Sequence, residues 1–362
     1  MKEHNSLDKV INNLESQGVV IDKEKLAELQ HTNSVKTVFI KVIAVIGGLL
    51  GMTMFMGFLF MLFERNLSEG LPLFIVSVIL FGATYFINKS NASAIKDGLA
   101  VATFISGFAL FETAIAVGDY AKVDVIIALV GLILSVISLF VYRNQIITFL
   151  ASAGVLISIN CLLVFKGLYV VLPIYMSLII LFTVYLFYKE EVIRCKNTLM
   201  SQLYTPVFTA TFCYTLFMSV MGSTMRYFHY FNAVSVTSRV VLILVLIAST
   251  VLTVHLMMQK LQIISVVTKG IIYALLLFFL YFVGFDYPAF SVSVLFILWS
   301  FKTQYKVGFV LSVFALIWSM GMFYYDLRIT LLTKSISLML SGIFFLAMYW
   351  LIQKNWKKDE TV

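Results

Sequence analysis

Apolar residues follow one another in long unbroken runs from position 38 to position 352, and polar residues are confined mostly to short gaps between them. Runs such as Leu244, Val245, Leu246, Ile247 and Leu275, Leu276, Leu277, Phe278 do not alternate, which excludes the in-and-out pattern that each strand of a membrane β-barrel needs. A segment immersed in hydrocarbon has to satisfy its own backbone groups, and a continuous apolar run does so as a helix. The pattern therefore predicts an all-α chain, a polytopic transmembrane helical bundle with short loops. At roughly 20 residues per bilayer crossing it holds about twelve spans.

The expected spans are 38–63, 71–87, 99–117, 123–141, 146–164, 168–187, 204–221, 240–257, 263–283, 289–301, 307–324 and 331–352. The tenth has only about 13 apolar residues, a length that suits a short, re-entrant or protein-buried helix as well as a crossing.

Composition strengthens this reading: 61% of residues are hydrophobic and 12% charged, against about 25% charged in a soluble chain. The mean hydropathy is +0.99. Charge then orients the bundle, because Lys and Arg near span ends stay on the cytoplasmic side. With both termini inside, 17 of the 26 Lys and Arg residues fall in the tail, the cytoplasmic loops and the C-terminus. Six (Arg65, Lys122, Lys166, Arg226, Arg239, Arg328) fall in outer loops, and three (Lys41, Lys269, Lys334) inside spans. The expected location is the cytoplasmic (inner) membrane, with N and C termini cytoplasmic. The high pI, about 9.2, reads as topology plus attraction to anionic lipid, with no nucleic acid partner.

Three regions follow. Residues 1–36 are charged and form a soluble cytoplasmic helical hairpin tail. Ser6 caps a helix with Leu7, Val10, Ile11 and Leu14 on one face, Gly18 ends it, and Asp22 caps a second helix carrying Leu26 and Leu29. No apolar stretch or cleavage site marks a signal peptide here. Residues 37–353 are the transmembrane bundle, and 354–362 the basic cytoplasmic C-terminus with Lys354, Lys357 and Lys358.

Chemistry-bearing motifs are few. Cys161, Cys195 and Cys213 stand singly, and His4, His31, His229 and His255 are scattered, so neither a disulfide framework nor a metal site is expected. No nucleotide fingerprint appears, and no cofactor is expected. Gly47, Gly48 and Gly51 in the first span read as a helix-packing surface. The longest outer loop, 222–239, is where enzyme chemistry would sit, but no carboxylate pair lies beside a nucleophile or metal ligand.

Ionisable residues inside a bilayer are costly and mark candidate sites. Glu112, in the third span, is too short to reach the interface. Lys41, Lys269 and Lys334 have stems that can snorkel. At the outer face, Gly118-Asp119-Tyr120, Asp286-Tyr287-Pro288 and Tyr325-Asp326-Leu327-Arg328 place acids beside aromatic residues at span ends. Asp119 and Asp286 each precede a span, which hints at a parallel repeat. Asp326 lies beside the start of the twelfth span, where unsatisfied backbone donors favour an acid, and Arg328 and Lys334 bring positive charge nearby. The candidate polar site residues are thus Glu112, Asp119, Asp286, Asp326, Arg328 and Lys334.

The stretch Phe323-Tyr324-Tyr325-Asp326-Leu327, then Thr330-Leu331-Leu332, Lys334-Ser335, Leu338 and Gly342 resembles the signature of a bacterial membrane family known as domain of unknown function DUF4401. The tail, with Leu14, Gly18 and Val19, is similar to the soluble module that opens related membrane proteins. The resemblance implies a polytopic membrane protein without an assigned activity, and a smaller membrane protein named for a Gly-Asp-Tyr signature as partner. This chain's own Gly118-Asp119-Tyr120 continues Ala121-Lys122-Val123 and does not reproduce that partner's pattern.

Two functions fit the residues besides contact with the lipid bilayer. One is a carrier-like or channel-like bundle that binds an ion or small solute at Glu112 and the outer polar cluster. The other is a non-catalytic envelope scaffold or assembly partner of another membrane protein. An enzyme is the least supported.

Overall fold

The computed structural model describes residues 35–62, 70–89, 94–117, 122–142, 144–196, 198–224, 236–260 and 287–326, with single positions 269, 270, 272–274, 276, 277, 280, 332, 335, 336, 339 and 346. Among these residues every regular element is a helix. In chain order they are α1 (Val35–Leu62), α2 (Leu71–Lys89), α3 (Ala94–Ala116), α4 (Val123–Val141), α5 (Gln145–Phe165) and α6 (Leu172–Tyr188). There follow α7 (Glu190–Lys196), α8 (Thr198–Thr224), α9 (Val236–Lys260), α10 (Pro288–Lys302) and α11 (Lys306–Asp326). Seven helical segments among the described residues are long and apolar enough to cross a membrane, so the chain is a multi-pass membrane protein. The expected segments 263–283 and 331–352 lie outside the described residues apart from the single positions named above, as do the C-terminus 354–362 and the tail 1–36 except for its last two residues, which begin α1.

Local chemistry explains the helix ends. The segment expected at 168–187 begins only at Leu172, after a turn in which Gly167 adopts φ +70°. Pro173 falls in its first turn, where a missing N–H costs nothing. Helix α5 is capped by Asn144, whose Oδ1 accepts from Ile146 N at 2.9 Å. Helix α4 follows Lys122, held in the left-handed region at φ 65°.

The chain divides into two compact units between Phe165 and Lys166. In the first, α3 is the hub and packs against α1, α2, α4 and α5. Leu73, Leu80, Leu110 and Ala114 form one core cluster, and Ala100, Val101, Phe104, Tyr142 and Ile147 another. Polar side chains stitch these helices together: Ser77 Oγ donates to Gly107 O at 2.8 Å, and Tyr142 Oη to Phe81 O at 3.0 Å. Gly48 is a real packing glycine, since a Cβ there would lie 3.1 Å from Ala102 Cβ, whereas Gly47 and Gly51 have open space beside them.

The second unit is built on α8, which touches α6, α7, α10 and α11. Its core is aromatic. Phe212 stacks on Phe296 with centroids 4.6 Å apart, Phe187 meets Phe208 edge-on at 4.7 Å, and Phe187 stacks on Trp299 at 5.4 Å. Helix α10, the short tenth segment, is 15 residues long, and Ala289, Phe290, Val292, Leu295, Phe296 and Trp299 are all buried. Most of its side chains are covered by the rest of this unit, so a short apolar run suffices for it. Between α6 and α8 the chain forms the short helix α7, where Arg194 pairs with Glu190 at 2.9 Å and lies over the Tyr204 ring at 5.0 Å.

Candidate functional site

Glu112 sits one turn before the end of α3, half-buried against α4 and α5. The approach depends on a glycine. A Cβ added to Gly131 of α4 would lie 3.1 Å from Glu112 Oε1 and 3.2 Å from Ser158 Oγ of α5, so the carboxylate and the hydroxyl flank the same bare backbone. Phe108, a turn earlier on α3, completes this wall, with Cε1 3.9 Å from the same point. Cys161 lies one turn beyond Ser158 on α5 and is half-buried. No cation among the described residues pairs with the carboxylate.

Small residues form the rest of the α4–α5 contact. The buried face of α4 is Ala128, Gly131, Ser135 and Ser138, and that of α5 includes Thr148, Ala151, Ser152 and Ser158. Such side chains let helices approach closely in lipid. Ser135 Oγ fills the space that a Cβ on Gly154 would need, buried and without a hydrogen-bond partner among the described residues. Other hydroxyls bond back to their own helix, Thr148 Oγ1 to Asn144 O at 2.8 Å and Ser152 Oγ to Thr148 O at 2.7 Å. A hydroxyl-bearing seam thus runs from Glu112 to the α4–α5 turn, where Asn144 Nδ2 donates to Asp97 Oδ1 at 3.2 Å.

Of the six candidate polar residues, Glu112 alone is placed with its surroundings. Asp119, Asp286, Arg328 and Lys334 lie outside the described residues. Asp326 is the last residue of α11, and its side chain is likewise outside them. The seam residues Gly131, Ser135, Gly154 and Ser158 were not singled out, and their spacing on α4 and α5 was the only available signal. His255 is exposed near the end of α9; Nδ1 lies 2.9 Å from Tyr273 Oη and Nε2 3.0 Å from Gln259 Nε2. Among the described residues no three His, Cys, Asp or Glu side chains converge as metal ligands.

The family profile described as Domain of unknown function (DUF4401) matches residues 37–355. No curated protein and no solved structure matches the chain.

Proposed function

Because the chain belongs to the DUF4401 family, a domain of unknown function, its description supplies no activity, and we propose from the site itself that the protein is a carrier-like bundle that binds a proton or small monovalent cation at Glu112. The bundle has about twelve spans and lies in the cytoplasmic membrane with both termini inside, as the distribution of Lys and Arg supports. The observation that carries the reading is the Glu112 carboxylate beside Ser158 and the bare Gly131 backbone, with no paired cation among the described residues. A charged group inside a span is expensive unless something neutralises it. A proton or a cation does so, and carboxylate and hydroxyl oxygens are the ligands that hard cations prefer. One carboxylate balances one positive charge.

The test is flux in proteoliposomes. Wild-type protein dissipates an imposed pH gradient when Na⁺ or K⁺ is supplied on one side, and Glu112→Gln abolishes this while Glu112→Asp retains part of it. A scaffold would leave wild-type vesicles no leakier than empty ones.

A further inference from the structure

The turn between α10 and α11 holds a second feature, independent of Glu112. There a groove of about 400 Å³ is lined by Ser300, Phe301, Gln304, Tyr305, Lys306 and Phe309, with Val310 beside them. The turn is firmly built. Gln304 takes the left-handed conformation at φ 58°, and Tyr305 N donates to Ser300 O at 2.9 Å. The Tyr305 ring fills the space that a Cβ on Gly308 would need and is braced from the core by Phe208 and Phe212, centroids 5.5 and 5.9 Å away.

The groove has two chemistries. Its outer wall is apolar and faces away from the protein: Phe301 is 60% and Val310 51% exposed. Its inner side carries the Ser300 hydroxyl, only 1% exposed and without a hydrogen-bond partner among the described residues. Lys306 stands exposed at the mouth, and Lys302 in the same turn holds its ammonium 4.4 Å over the Trp299 ring. None of the described lining residues is acidic. Cations at a span end mark the cytoplasmic side, where the leaflet carries anionic lipid.

We infer that this groove is a binding site for an anionic phospholipid, its phosphate held at Lys306 and its first acyl carbons laid along Phe301, Phe309 and Val310. The charge of Lys306 complements the phosphate, the buried Ser300 hydroxyl supplies the missing hydrogen-bonding group, and the exposed apolar wall takes the chain. A free phosphate would use only the first two.

Native mass spectrometry of the full-length protein in detergent tests this, with dioleoylphosphatidylglycerol, dioleoylphosphatidylcholine or sodium phosphate added. The expected result is retention of phosphatidylglycerol in preference to phosphatidylcholine, with its affinity lowered about fivefold by Lys306→Gln. Val310→Trp, an exposed position, fills the groove, leaves both lysines and lowers phosphatidylglycerol retention as well. Equal retention of the two lipids overturns the inference, and so does a preference that survives either substitution. Retention of phosphate alone, with no gain from the acyl chains, assigns the turn to a soluble anion and overturns the lipid.

Discussion

Gly131 and Glu112 meet across the α3–α4 contact at a distance that crowds any side chain: a methyl group on Gly131 would sit 3.1 Å from the carboxylate Oε1 and 3.2 Å from Ser158 Oγ. Both are tighter than ordinary van der Waals contact, so Gly131→Ala forces Glu112 or Ser158 to shift. The expected cost is about 1–3 kcal/mol, as for overpacking generally. Gly131→Val costs more. Unfolding in detergent checks both, and flux should fall in Gly131→Ala by more than its loss of stability explains.

Ser135 and Ser77 are both fully buried serines with opposite expectations. Ser135 Oγ has no hydrogen-bond partner among the described residues, whereas Ser77 Oγ bonds Gly107 O at 2.8 Å. Ser135→Ala removes a desolvated hydroxyl without breaking a bond and should be neutral or stabilising. Ser77→Ala should cost about 1 kcal/mol. Thermal midpoints of the two variants, measured side by side, decide the comparison.

Much of the fold is legible in the sequence, because a helix in lipid follows from an unbroken apolar run. The segment expected at 123–141 coincides with α4, and α2 begins at Leu71 where its apolar run begins. Helix ends drift where turn chemistry intervenes, as at Gly167, or where polar residues continue a helix past the apolar core, as in α8 from Thr198. Glu112 is visible because an acid in an apolar run has no ordinary reason to be there. Its neighbours are not. Gly131 and Ser158 are commonplace in membrane helices, and only the register between α3, α4 and α5 makes them a site.

The aromatic core of the second unit should be the most sensitive point in that half of the chain. Phe212 is fully buried and stacks on Phe296 at 4.6 Å. Phe212→Ala should cost about 3–5 kcal/mol. The exposed Phe314 faces no such cluster, and Phe314→Ala should change stability little. Denaturant titrations in micelles separate the two.

Orientation follows from the loop cations. Alkaline phosphatase fused after Lys196 or at the C-terminus should be inactive, and a fluorescent reporter at the same points should fold and emit. Strong phosphatase activity at the C-terminus would require an odd number of crossings after α7.

The most direct measurement is the reactivity of a single cysteine placed at position 112, in a chain where Cys161, Cys195 and Cys213 are replaced by serine. A carboxylate that binds a proton or cation in passage must meet water, so Glu112→Cys should react with a membrane-impermeant methanethiosulfonate, and added Na⁺ should not alter labelling at an exposed control such as position 166. Labelling by a lipid-soluble maleimide alone, with none by the impermeant reagent from either side of the membrane, would place position 112 in dry packing and contradict the account.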